Sequence, residues 1–161
     1  MTPAPAAPPA AGVALCLWIV LTFSAAAVGA LTPPGAWYAA LHKPPWNPPG
    51  WLFGPVWTAL YTLMAVAAWL VWRRGGWAAQ RRPLALYLGQ LALNALWTPL
   101  FFGLHQPGLA FAEILLLLAA IVATALAFRR VSPAAAFLLV PYLAWVSFAA
   151  FLNFTLWRLN S

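Results

Sequence analysis

LAFAEILLLLAAIVATALAF, residues 109–128, holds one ionisable side chain, Glu113, in its whole length. At ~1.5 Å per residue a helix of that length covers ~30 Å, the hydrocarbon thickness of a bilayer. Four similar runs accompany it, at about 12–31, 51–72, 83–104 and 134–157. Lipid cannot satisfy open backbone N–H and C=O groups, so each run must be helical. The sequence therefore predicts an all-α integral membrane protein, a single five-helix transmembrane bundle over 11–161. Residues 1–10, Pro and Ala with a Met and a Thr, read as a disordered arm. The first run has no Lys or Arg before it and exceeds the ~7–15 residue core of a signal peptide, so it reads as a retained span.

Composition excludes a water-coated surface. Of 161 residues 65% are hydrophobic and 6% charged, against roughly 25% charged in soluble domains; mean hydropathy is +0.87. The formal charge of +7 comes largely from basic pairs between apolar runs, the usual flanking of membrane helices, so no nucleic-acid partner is expected. With five spans, Arg73, Arg74, Arg81, Arg82, Arg129 and Arg130 fall on one side, with Lys43 and Arg158 opposite. In a cytoplasmic membrane the positive-inside rule puts the Arg-rich side, with the N-terminus, in the cytoplasm. One cysteine, Cys16, and two histidines, His42 and His105, make neither a disulfide nor a conventional metal centre. The histidines read as solvated loop residues.

Three turns between runs are tight, marked by Arg73-Arg74-Gly75-Gly76 with Arg81-Arg82-Pro83, by Gln106-Pro107-Gly108, and by Val131-Ser132-Pro133. The first connection, about 32–50, is long. It holds Pro33, Pro34, Pro44, Pro45, Pro48 and Pro49, which prevent most of it from being helical. It also holds Trp37, Tyr38 and Trp46, so it reads as a stiff, adhesive segment folded over one end of the bundle.

Eleven tryptophans stand out. Trp51, Trp69, Trp72, Trp77 and Trp157 lie near span ends, where an interfacial aromatic belt is the ordinary reading. Others align at helical spacing inside spans: Phe53, Trp57 and Tyr61 in the second; Gln90, Asn94, Trp97 and Phe101 in the third, with Thr98 beside them; Tyr142, Trp145 and Ala149 in the fifth. Facing inward, these stripes build an apolar cavity with a few hydrogen-bonding groups, suited to a flat, mostly apolar ligand. Ordinary aromatic packing between helices fits the same spacing. Asn94 requires a partner helix or a cavity, since an amide does not face hydrocarbon. Glu113 reads as a shallow charge near a helix N-terminus; an inward-facing group that pairs with a loop or ligand is the alternative. Ala85, Gly89 and Ala92 form a small-residue face that suits a dimer contact.

These residues resemble the translocator protein family, also called TspO, the tryptophan-rich sensory proteins or peripheral benzodiazepine receptors. The resemblance runs through Trp37-Tyr38, Lys43-Pro44, Trp46, Pro48-Pro49-Gly50, Trp57 and Leu60-Tyr61. It continues through Leu93-Asn94, Trp97, Pro99 and Phe101-Phe102-Gly103, and ends in Val131-Ser132-Pro133, Pro141-Tyr142-Leu143-Ala144-Trp145, Leu152-Asn153 and Trp157-Arg158. It implies a homodimeric five-helix bundle that binds porphyrin or haem, sterols and benzodiazepine-type compounds under the first loop, with no required cofactor. The pocket positions it implies are Trp37, Tyr38, Trp46, Trp57, Asn94, Trp97, Tyr142 and Trp145, and the second-span stripe adds Tyr61. The family's sterol motif survives only as Leu152, Phe154 and Arg158, without its tyrosine hydroxyl. The expected role is a receptor, sensor or transporter acting on tetrapyrrole metabolism in a bacterial cell membrane, inner or outer left open. Two alternatives stand beside it: light- and oxygen-dependent porphyrin breakdown, which would make the protein a catalyst, and a dimeric scaffold for other membrane proteins.

Overall fold

The computed structural model describes residues 10–161; apart from Ala10, the N-terminal arm lies outside the described residues. The elements are α1 (Ala11–Ala30), α2 (Ala36–Ala40), α3 (Gly50–Trp72), α4 (Gly76–Ala79), α5 (Arg81–Thr98), α6 (Pro107–Val131), α7 (Pro133–Leu138) and α8 (Val140–Leu159). A widened π-helical turn, Pro99–Gly103, extends α5. Among the described residues there is no strand, and five segments are long and apolar enough to cross a membrane. The protein is an all-α, multi-pass integral membrane protein.

The spans form a ring. α1 touches α3 and α5; α5 runs beside α6; α6 packs on α7 and α8; α7 closes the ring against α3. The fifth span, read from sequence as one helix, is divided at Leu139. Pro141 near the start of α8 cannot donate a backbone hydrogen bond, which permits the break. Ser132 begins this span by accepting a hydrogen bond from the Ala135 N–H, a helix N-cap.

The reversal after α3 uses Gly75 (φ +122°) and Gly76 (φ +71°), conformations that side-chain-bearing residues avoid. At the other end α6 starts hard against α8: a Cβ on Gly108 would sit 3.0 Å from the Trp157 ring. The six arginines of the turns are exposed at one end of the bundle. The long first connection covers the other.

Candidate ligand-binding cavity

Below the break at Leu139, α8 leans away from α3. The wedge between them, bounded also by α1 and α5, is a cavity of about 830 Å³. Its walls are mostly aromatic and small. α3 supplies Phe53, Gly54, Trp57 and Tyr61; α5 and the π-helical turn supply Asn94, Trp97, Phe101 and Phe102; α8 supplies Trp145, Ala149 and Asn153. Trp57 stacks on Tyr61 at 5.2 Å and meets Tyr142 edge-on. Phe53 meets the edge of Trp145 at 5.8 Å.

A hydrogen-bond chain closes the deep end. The Tyr61 hydroxyl donates to Asn94 Oδ1 (2.7 Å), Asn94 Nδ2 donates to the Tyr142 oxygen (3.1 Å), and the Tyr142 hydroxyl donates to Gln90 Oε1 (2.8 Å). Four buried polar side chains from three spans are thereby joined, as an apolar medium demands. A second pair braces the wall: Trp97 Nε1 donates to Asn153 Oδ1 (3.0 Å), and Asn153 Nδ2 donates to the Pro107 carbonyl (2.8 Å). The Trp145 indole N–H, buried at the cavity wall, has no protein partner.

The first connection is a lid. Pro34, Tyr38, Lys43, Asn47, Pro48 and Pro49 line the cavity from above. Lys43 Nζ donates to the carbonyls of Tyr38 (2.6 Å), Leu41 (3.1 Å) and Ala39 (3.2 Å) and lies over the Tyr38 ring. It serves as the C-terminal cap of α2, where a cation satisfies orphan carbonyls. Its donors are occupied by the lid itself.

Of the nine sequence-derived pocket residues, Tyr38, Trp57, Tyr61, Asn94, Trp97 and Trp145 line this cavity. Three do not. Trp37 stacks on His105 (4.4 Å) and meets Phe101 edge-on. Trp46 stacks on exposed Phe151 and abuts Phe148. Tyr142 is fully buried behind the wall, within the hydrogen-bond chain. Lys43, Asn47, Phe102, Asn153 and Gly54 were not singled out as site residues from sequence. Lys43 had a legible signal, a cation just past a short apolar segment. Gly54 had none.

Three further expectations can be located. Leu152 is buried at the cavity, whereas Phe154 faces outward and Arg158 is exposed, so the sterol-motif remnant does not share one face. Ala85, Gly89 and Ala92 are exposed along α5, and nothing lies within 4 Å of a Cβ on Gly89. Glu113 corrects its sequence reading: it is 7% exposed, with neither carboxyl oxygen hydrogen-bonded by protein. Its side chain faces inward, as in the alternative reading, but no loop residue pairs with it. Among the described residues no group of His, Cys, Asp or Glu could hold a metal.

A multi-pass α-helical bundle around a lidded, aromatic-walled cavity places the chain among integral membrane proteins with an internal cavity of ligand size. The chain belongs to the TspO/MBR family, whose profile matches residues 12–158. It is 52% identical over 126 residues to a "Translocator protein" of Ovis aries, covering 77% of this chain and 75% of that protein. It is 45% identical over 150 residues to a "Tryptophan-rich protein TspO" of Chlorobaculum tepidum, covering 91% and 94%. A "Tryptophan-rich sensory protein" of Cereibacter sphaeroides is 44% identical over 147 residues, covering 88% and 91%. Family membership thus supports a membrane sensor or receptor role.

Proposed function

We propose that this protein is a membrane receptor or sensor for tetrapyrroles, such as protoporphyrin IX or haem, and that it influences tetrapyrrole metabolism. Sterols and benzodiazepine-type compounds are further ligands of the same cavity. The observation that carries the reading is the cavity itself. Its volume of about 830 Å³ lies in the range of roughly 300–1,000 Å³ typical of ligand pockets. Its walls present indole and phenyl faces to a flat ring system. Polar groups on the walls are few, which lets them orient a ligand while the surface stays mostly apolar.

Protoporphyrin IX added to purified protein should quench tryptophan fluorescence with saturation. Trp57→Phe and Trp145→Phe should each raise Kd about 5- to 30-fold, the effect of shrinking one indole face of the wall. Unchanged affinity in both variants would sink the pocket assignment.

The indoles at the wall also favour a second reading, light-driven porphyrin oxidation with oxygen as co-reactant and the indoles as electron-rich neighbours. Illuminated reactions with protein, with the two variants and with free tryptophan separate the cases. Equal products at equal rates from free tryptophan would remove the protein from the role of catalyst. The exposed Ala85, Gly89 and Ala92 stripe supports a homodimer, which cysteine cross-linking on α5 tests.

A further inference from the structure

The lid is joined to α8 by one side chain used in both directions. The His42 backbone N–H donates to Asn160 Oδ1 (2.9 Å), and Asn160 Nδ2 donates back to the His42 carbonyl (3.0 Å). These contacts link residues 118 positions apart in sequence. Asn160 Nδ2 also donates to the Leu156 carbonyl (2.8 Å), which fixes the amide to the last turn of the helix that carries Trp145, Ala149 and Asn153. His42 directly precedes Lys43, the residue that caps α2. The Asn160 amide therefore grips the lid at the point where its short helix ends.

Elsewhere the lid touches the bundle through aromatic rings, two pairs stacked and the others edge-on. Trp37 and Tyr38 rest on Phe101, Phe102 and His105, and Trp46 rests on Phe148 and Phe151. Such ring contacts prefer certain geometries but are held mainly by burial, which tolerates sliding more than a hydrogen bond does. The paired amide contact fixes both position and orientation.

We propose that Asn160 is a latch that positions the lid, and so governs how fast the cavity exchanges its ligand. It touches no ligand. It acts through the His42 backbone, holding residues 36–49 over the cavity mouth. The exchange role rests on the cavity being a ligand site; the latch itself does not. Removing both contacts raises the open fraction of the lid about tenfold, the scale expected for two exposed hydrogen bonds. Ligand association and dissociation then accelerate together, and Kd moves much less than either rate.

The test uses the full chain in lipid nanodiscs, with Asn160→Ala and Asn160→Asp. Aspartate keeps the acceptor for the His42 N–H and loses the donor to its carbonyl. Backbone hydrogen exchange at Ala39 and Leu41, whose amides bond within the lid to Gly35 and Tyr38, should speed about tenfold in Asn160→Ala and less in Asn160→Asp, with α5 unchanged. Stopped-flow quenching by protoporphyrin IX should show the matching rise in dissociation rate at nearly constant Kd. Faster exchange confined to His42 itself, or none, overturns the latch. Faster exchange at Ala39 and Leu41 without any protoporphyrin binding to the wild type upholds the latch and removes tetrapyrroles as its cargo. A large loss of affinity with unchanged exchange also overturns it, because Asn160 would then act on the ligand directly.

Discussion

The two ends of this bundle are built from the same five spans and have opposite interiors. At the Arg-rich end Ala65, Ala67, Ala68, Val71, Leu84, Tyr87, Phe128 and Ala135 are all fully buried, and α7 sits directly on α3. At the lid end larger side chains surround empty space, because α8 leans off α3 after the break at Leu139. Small residues let helices approach closely, and four of those buried positions are alanine. Large rings held apart by a hydrogen-bonded floor leave a cavity. The packed stem and the hollow vessel meet near the helix break at Leu139, two residues before Pro141.

The floor between them is the place to break the contrast most severely. Asn94→Leu removes two hydrogen bonds and leaves the buried Tyr61 hydroxyl without a partner, while Tyr142 keeps its bond to Gln90. Thermal unfolding in detergent should register a loss of about 2–4 kcal/mol, with ligand quenching weakened as the wall loosens. An Asn94→Leu protein as stable as wild type would mean that the chain does not hold the three spans together.

A smaller effect sharpens the packed half. Ala68→Leu forces a larger side chain into a fully closed site and should cost about 1–3 kcal/mol. Protoporphyrin affinity should hardly change, since the site is remote from the cavity. If affinity fell as much as stability, the two ends would be mechanically coupled rather than separate.

The smallest effect on stability belongs to the hollow half. Gly54 lines the cavity, and a Cβ there would meet nothing within 4 Å. Gly54→Leu should leave the unfolding temperature unchanged or raise it by up to about 1 kcal/mol equivalent, the helix-propensity gain. It should nonetheless raise the protoporphyrin Kd at least about tenfold by occupying ligand space. A destabilised Gly54→Leu variant would show that the glycine is needed for helix geometry beside Pro55 instead.

The architecture was legible because lipid leaves so few options. Long uncharged runs, basic pairs and proline-rich turns specify five spans with little ambiguity. The aligned stripes Phe53, Trp57, Tyr61 and Asn94, Trp97, Phe101 also marked inward faces that meet at the cavity. What the spacing could not decide was whether those rings would close on one another or stand apart. That depends on the break at Leu139, which lies inside a run uniform in hydropathy. Trp37, Trp46 and Tyr142 belong to the same pattern as the wall residues, and only their neighbours (His105, Phe151 and Gln90) distinguish them. Glu113 shows the same gap, for depth along a helix follows from counting and the direction of a face follows from the ring order. Asn160 gave no signal at all, because its partner is backbone.

The chain Tyr61–Asn94–Tyr142–Gln90 has a polarity. Asn94 Oδ1 can only accept and its Nδ2 can only donate, so rotating the two tyrosine hydroxyls cannot reverse the direction of donation. A proton wire needs links that can relay in turn, and the amide in the middle of this one interrupts it. Tyr61, having given its proton inward, keeps only lone pairs for anything it meets in the cavity. The deep end of the vessel thus greets its contents with an acceptor, which a molecule carrying an N–H or O–H can answer and a plain hydrocarbon cannot.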